Sequence, residues 1–324
     1  MGGLLNYIIR RILFMVPVLF GVTMLVYFVG NAAGNPINLI YLSLRHPSPV
    51  VLAALRVYYH LNDPVYLRYL YYVWDLMHFN LGISITSGRP VADELGPWVW
   101  TTLYLQLAAL ALSLGVSIPI AVYSATHQYS KTDVFVTGFA IFGYSMPTFW
   151  LGIIMILIFS LHLGVLPAFG ATGGTLGYWW GSPFMDRIAH LIMPMLVLSY
   201  VSLATFVRVL RGNLLEVMRQ DYILAALASG LSQRTVVYKH ALKNAISPII
   251  TIVGLTIASS LGAAPALETV FTWPGIGYAF VQAALALDVP TVEGITVVIT
   301  VMVLAGNLIV DLFYALFDPR IRIG

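Results

Sequence analysis

Six times along the chain, apolar residues run for the length a helix needs to cross a bilayer: residues 12–29, 102–125, 134–163, 188–209, 246–267 and 295–316. A hydrocarbon core of about 30 Å takes roughly 20 such residues, and backbone groups inside it must pair with one another because no water reaches them. The expectation is an all-α fold, a polytopic transmembrane helical bundle of six spans. Composition leaves no alternative surface, since 60% of residues are hydrophobic and 9% charged, where a soluble domain carries about a quarter charged. The third run is the longest and has Pro147 near its middle, so it should kink there. The first run follows Arg10 and Arg11 and precedes Ala32, Ala33 and Gly34, as a secretory signal would. Its apolar core exceeds the usual roughly 7 to 15 residues, which makes it an uncleaved anchor.

Basic residues orient the bundle. With the amino terminus inside, eleven of the sixteen Lys and Arg residues fall on the inner side, and Arg45, Arg56, Arg68, Arg89 and Arg187 fall outside. The excess of inner cations places both termini in the cytoplasm of a multi-pass protein of the cell membrane, in contact with lipid. The chain then divides into an anchor helix (1–30), an extracytoplasmic insertion (31–100), a transmembrane domain (101–316) with a cytoplasmic loop at 212–245, and a cytoplasmic tail (317–324). In the insertion, Tyr66, Tyr69, Tyr71, Tyr72 and Trp74 crowd a helix after Asp63-Pro64. Such rings suit a cap at the water-lipid boundary or a contact with solute or partner.

Several chemistries are excluded. The chain has no cysteine, hence no disulfide, thiol nucleophile or cysteine-ligated metal. Its seven histidines (His46, His60, His78, His127, His162, His190 and His240) show no close pairing that suggests a metal site. A phosphate-binding loop needs glycines before Lys-Ser/Thr, but Ala125 and Ser130 hold those positions ahead of Lys131-Thr132. No catalytic residue, cofactor or nucleic-acid partner is therefore assigned to this chain.

The 34 residues from 212 to 245 are the informative connection, because ordinary helix connections take about 2 to 8 residues. Their Leu, Val and Ala content speaks for order rather than disorder. Asp221 can cap a short helix over 222–229, Gly230 permits the left-handed residue that ends it, and Ser232 can cap the next helix. A short apolar helix across a membrane face has nothing of its own chain to cover it and should be buried in a partner.

Ala225-Ala226, three further residues, Gly230 and later Pro248 resemble the signature cytoplasmic loop of ABC importer permeases. The resemblance continues through Pro17-Val18-Leu19-Phe20-Gly21-Val22, Leu61-Asn62-Asp63-Pro64, Asn80-Leu81-Gly82-Ile83-Ser84 and Gly88-Arg89-Pro90-Val91. It goes on through Ser145-Met146-Pro147-Thr148-Phe149-Trp150-Leu151-Gly152, Glu268-Thr269-Val270-Phe271, Trp273-Pro274-Gly275-Ile276-Gly277 and Asp318-Pro319-Arg320. So many motifs in one order are similar to the first permease subunit of the dipeptide and oligopeptide importer family. The family usually places basic residues where Leu224, Leu227 and Ser229 stand, so the docking helix is apolar here.

The resemblance implies a type I ABC importer permease fold. Its partners would be a second homologous permease, two ABC ATPase subunits that hold ATP and Mg, and an extracytoplasmic solute-binding protein. Asp221, Tyr222, Leu224, Ala225, Ala226, Gly230 and Leu231 would couple the chain to the ATPases. Pro147, Trp150, Ser259, Glu268, Phe271 and Trp273 are the candidate gate or path residues. Glu268 reads equally as an external gate contact and as an interfacial carboxylate. Small residues of the fifth span serve helix packing or line the solute path. Asp311 inside the sixth span is a functional candidate or a structural ion pair. Peptide is the first expectation for the solute and oligosaccharide the second. A secondary transporter working without ATPases is the rival class, yet neither inverted repeats nor paired mid-membrane charges are visible.

Overall fold

A computed structural model describes residues 2–33, 48–58, 60–174, 180–259 and 264–317. Among them there is no β-strand, only an isolated antiparallel bridge between Ile83 and Pro90. The helices are α1 (Gly2–Ala33), α2 (Pro49–Tyr58), α3 (Val65–Met77), α4 (Val91–Thr126), α5 (Lys131–Ser145) and α6 (Thr148–His162). They continue as α7 (Pro183–Val217), α8 (Asp221–Ala228), α9 (Gln233–Ala245), α10 (Ser247–Ser259), α11 (Pro265–Val270), α12 (Ile276–Leu285) and α13 (Val289–Phe317).

Four of these are unbroken and apolar enough to cross a membrane: Ile8–Ala32, Val91–Thr126, Pro183–Val217 and Val289–Asp311. α9 and the first part of α10 form a further apolar pair bent by 48°. A count of six rests on taking broken segments as spans. The run at 134–163 is one of them. Pro147 does more than kink it: Met146 and Pro147 are extended, and α5 stops before them while α6 starts after. Proline disfavours the helical conformation of the residue before it and donates no N–H, so the ladder is cut on both counts. The run at 246–267 is divided into α10 and α11, and residues 260–263 lie outside the described set, as do residues 34–47 of the insertion and the tail from 318.

The chain forms two compact units, one of residues 1–102, 261–265 and 274–324 and one of residues 103–260 and 266–273. In the first, α1 lies along α13, and Arg11 pairs with Asp311 at 2.5 Å, the structural role open to that carboxylate. Val91, Leu95, Ile276, Ala279 and Ile295 form its buried cluster. Gly294 is there because a Cβ would come within 2.8 Å of Val91 Cγ1. Asp288 ties the insertion to the start of α13, accepting from Ser84 Oγ at 2.5 Å, Ile85 N at 3.0 Å and Thr86 N at 3.1 Å. Burial pushes its carboxyl up, but these donors outweigh burial and leave it below its ordinary value.

In the second unit, the core joins Ala121 and Val122 of α4, Phe206, Leu210 and Leu214 of α7, and Ile223, Val236, Val237, Ala241 and Ile249 of the segment that follows. For Ile223, which lies in the connection outside the apolar spans, burial is worth about 1.5–3 kcal/mol relative to exposure to water. The connection at 212–245 is therefore part of a core.

Candidate functional site

The segment after α7 begins later than its composition suggests, because α7 continues to Val217. Met218 to Gln220 make the turn, and α8 starts at Asp221. Gln220 occupies the N-cap position with no side-chain hydrogen bond, and its carbonyl accepts from Ile223 N at 3.0 Å and Leu224 N at 3.3 Å. Asp221 is thus the first helical residue and not the cap expected for it. Its carboxylate remains well placed at the positive end of the helix dipole.

The end of α8 follows expectation. Gly230 has φ +84°, its N–H donates to Leu227 O at 3.1 Å, and Leu231 N–H donates to Ala226 O at 3.4 Å. This closes the helix through a left-handed residue, which glycine enters without cost from a Cβ. A Cβ on Gly230 would meet nothing within 4 Å, so the constraint there is backbone conformation and not space. Ser232 Oγ accepts from Thr235 N at 3.3 Å and caps α9 as expected.

α8 is fastened on one side only. Ile223 is 1% exposed in the core and Ala226 packs against it. Tyr222, Leu224, Leu227 and Leu231 are exposed, Leu224 to 55%. The Tyr222 hydroxyl also accepts from Asn244 Nδ2 at 2.8 Å, which ties α8 to α9. An apolar stripe next to a buried anchor presents a surface suited to a second protein.

Behind this shoulder lies a clamp that sequence reasoning missed. Asp133, at the start of α5, accepts from Arg211 Nε at 2.7 Å and Arg211 Nη2 at 2.8 Å, from Tyr129 N at 2.9 Å, and from Ser124 Oγ. The Arg211 hydrogen bonds hold the Asp133 carboxyl well below the usual carboxylate range, against burial that raises it, and Ser124 and Tyr129 add to the lowering. The clamp joins the end of α4, the start of α5 and the last turns of α7. Its sequence signal was Ser130-x-x-Asp133, a helix-start pattern in which Ser130 Oγ accepts from Asp133 N at 3.2 Å.

The candidate path residues divide. Pro147 and Trp150 are exposed at the start of α6. Glu268, Phe271 and Trp273 are all buried inside the second unit. There Trp273 N donates to Glu268 O at 2.7 Å, Gly170 N donates to Phe271 O at 2.8 Å, and the Trp273 ring lies 5.2 Å from that of Tyr104. Phe271 also packs on Gly152, where a Cβ would stand 3.0 Å from its ring. Ser259 is the last residue of α10, and its side chain lies outside the described set. Among the described residues no three His, Asp or Glu side chains gather as a metal would need.

The sequence model of the family described as binding-protein-dependent transport system inner membrane component matches residues 117–323. The oligopeptide transport system permease protein AppB of Bacillus subtilis is 40% identical over 98% of this chain and 99% of its own length. The dipeptide transport system permease protein DppB of Escherichia coli K12 is 36% identical over 98% and 99%. The glutathione transport system permease protein GsiC of Escherichia coli O6:H1 is 32% identical over the same shares. Among solved structures, a chain of the MetNI methionine ABC transporter aligns with a TM-score of 0.49 at 18% identity, covering 67% of this chain and 94% of that one. With the family pattern spanning more than half of its residues and permeases matching it from end to end, the chain belongs to the binding-protein-dependent transport system inner membrane components.

Proposed function

We propose that this chain is one of two permease subunits of an ATP-driven peptide importer. It supplies half of the path, while ATP and Mg are bound by a pair of ATPase subunits and the solute arrives from an external binding protein. Peptide is favoured as cargo because relatives similar along their whole length are named for oligopeptide, dipeptide and glutathione transport. Oligosaccharide has no such support among these relatives.

The observation that carries the reading is the shoulder at residues 221–231, with Ile223 locked in the core and Leu224, Leu227 and Leu231 facing out. An ATPase surface closing on the outward stripe would push α8 as a rigid lever. Ile223 would pass the displacement to α7 and α10 through shared packing, and the Asp133–Arg211 clamp would carry α4 and α5 with it. Both termini and the shoulder are assigned to the cytoplasm.

The test is reconstitution in vesicles with the partner permease, ATPases and binding protein. Peptide uptake should require ATP. Gly230→Val forces a β-branched residue into φ +84°, so it should misplace α8 without blocking membrane insertion. Loss of both solute-stimulated hydrolysis and uptake is expected. A variant that retains both would overturn the lever assignment.

A further inference from the structure

Beside the packed pair of α1 and α13 runs a groove of about 510 Å³, within the range that ligand sites occupy. α1 supplies Val16 and Thr23 to its wall, α3 supplies Leu76, α13 supplies Val298 and Met302, and Phe79 stands just past the end of α3. All of them belong to the first unit. Among the described residues Thr23 is the single polar side chain of the lining. Its hydroxyl is spent inside the fold, donating to Phe20 O at 2.9 Å and lying 3.1 Å from Tyr69 Oη. The side chains of the groove therefore offer a ligand apolar contact and little else.

Its course says which apolar ligand. Val16, Thr23, Val298 and Met302 lie well inside the membrane-length stretches Ile8–Ala32 and Val289–Asp311. At the other end Leu81, also in the lining, stands beside Gly294, where a Cβ would come within 3.5 Å of the Leu81 Cβ. From residue 294 to Met302 α13 rises about 12 Å, most of the roughly 15 Å that one leaflet contributes to a hydrocarbon core. α3 leads into that end with Tyr66, Leu70, Trp74 and Met77 exposed along one face, at spacings i, i+4, i+8 and i+11. Tyr and Trp gather where hydrocarbon meets headgroups. Val301 is both in the lining and exposed, so the groove is continuous with the face that α13 turns away from the fold. Phe79 marks the mouth. It is 88% exposed at φ +60°, a left-handed conformation that disfavours L residues, held by Asn80 N donating to Asp75 O at 3.0 Å. A large apolar ring kept in that conformation and left bare by its own chain gains a role if hydrocarbon lies against it. We propose that this groove binds a membrane lipid, one hydrocarbon chain of which runs along α13 from Phe79 to Met302. The site belongs to the first unit alone and does not rest on the reading of the shoulder at 221–231.

Photo-crosslinking of the assembled complex tests it, in nanodiscs of phosphatidylcholine of which a minor fraction carries a diazirine midway along one acyl chain. Adducts mapped by mass spectrometry should fall more heavily on Val16, Leu76 and Met302 than on Leu13 and Leu25, which are exposed on α1 but absent from the lining. Val298→Trp fills the groove and should abolish label at Val16, Leu76 and Met302 while leaving it at Leu13 and Leu25. Should that variant fail to assemble, Phe79→Gly decides, because glycine enters φ +60° freely and only the ring is lost. It should lower the groove label about tenfold, the worth of one large apolar contact. The proposal is overturned if the groove residues take no more label than Leu13 and Leu25, if they cross-link to the second permease in place of lipid, or if their label survives the variants.

Discussion

Two short segments of the second unit, both prominent in sequence, are built in opposite ways. The turn at 268–273 points inward: Glu268, Phe271 and Trp273 are sealed, and its backbone is held by Gly170 and by its own carbonyls. The shoulder at 221–231 points outward: only Ile223 is sealed, and four large apolar side chains face away from the fold. The same apolar composition thus serves cohesion in one and leaves a surface for docking in the other. Substitutions should separate the two, with loss of stability for the turn and loss of coupling for the shoulder.

The largest effect on stability belongs to Trp273→Ala. Emptying a fully buried indole should cost about 3–5 kcal/mol, seen as a lower denaturant midpoint in detergent, with no assembled complex to assay. An unchanged midpoint would mean that this turn does not hold the unit together. Next is Asp133→Asn, which leaves Arg211 without its carboxylate. Because the Arg211 side chain is 23% exposed, the cost should fall below that of a fully buried pair, at about 2–3 kcal/mol. The pH dependence has a definite sign. A carboxyl whose folded pKa lies below its unfolded value of about 4 contributes above that value, and the contribution is lost as pH falls through the folded one. Acid titration of stability should therefore show a steeper limb below about pH 4 in the unaltered chain than in Asp133→Asn. Equal limbs would show that the clamp does not stabilise the fold.

The contrast between turn and shoulder also governs what could be read in advance. Long apolar runs marked the four unbroken helices of membrane length found among the described residues, because membrane length and backbone satisfaction leave few alternatives. The start of α9 at Ser232 and the stop at Gly230 were legible because capping is a local matter, decided within a few residues. The start of α8 was misplaced by one residue, since Gln220 and Asp221 can both precede a helix and only the backbone bonds decide between them. Asp133 and Arg211 stand 78 residues apart, and nothing local announces their pairing.

At the shoulder the stability effects shrink while those on transport should grow. Asp221→Asn removes a carboxylate from the first turn of α8, with an expected cost of about 0.3–1 kcal/mol in stability and a proportionate drop in coupling. A stability effect no larger than that is expected for Leu224→Ser combined with Leu227→Ser. Both side chains are exposed in the chain, so each change should alter its stability by no more than about 0.5 kcal/mol. If the stripe is the surface an ATPase grips, the pair should still lower uptake at least about tenfold, because polar replacements forfeit apolar burial across the interface. Stability and uptake measured on one preparation decide the matter. A large fall in stability would mean that α8 packs within the chain like the turn at 268–273, whereas unchanged uptake would leave the outward stripe without a docking role.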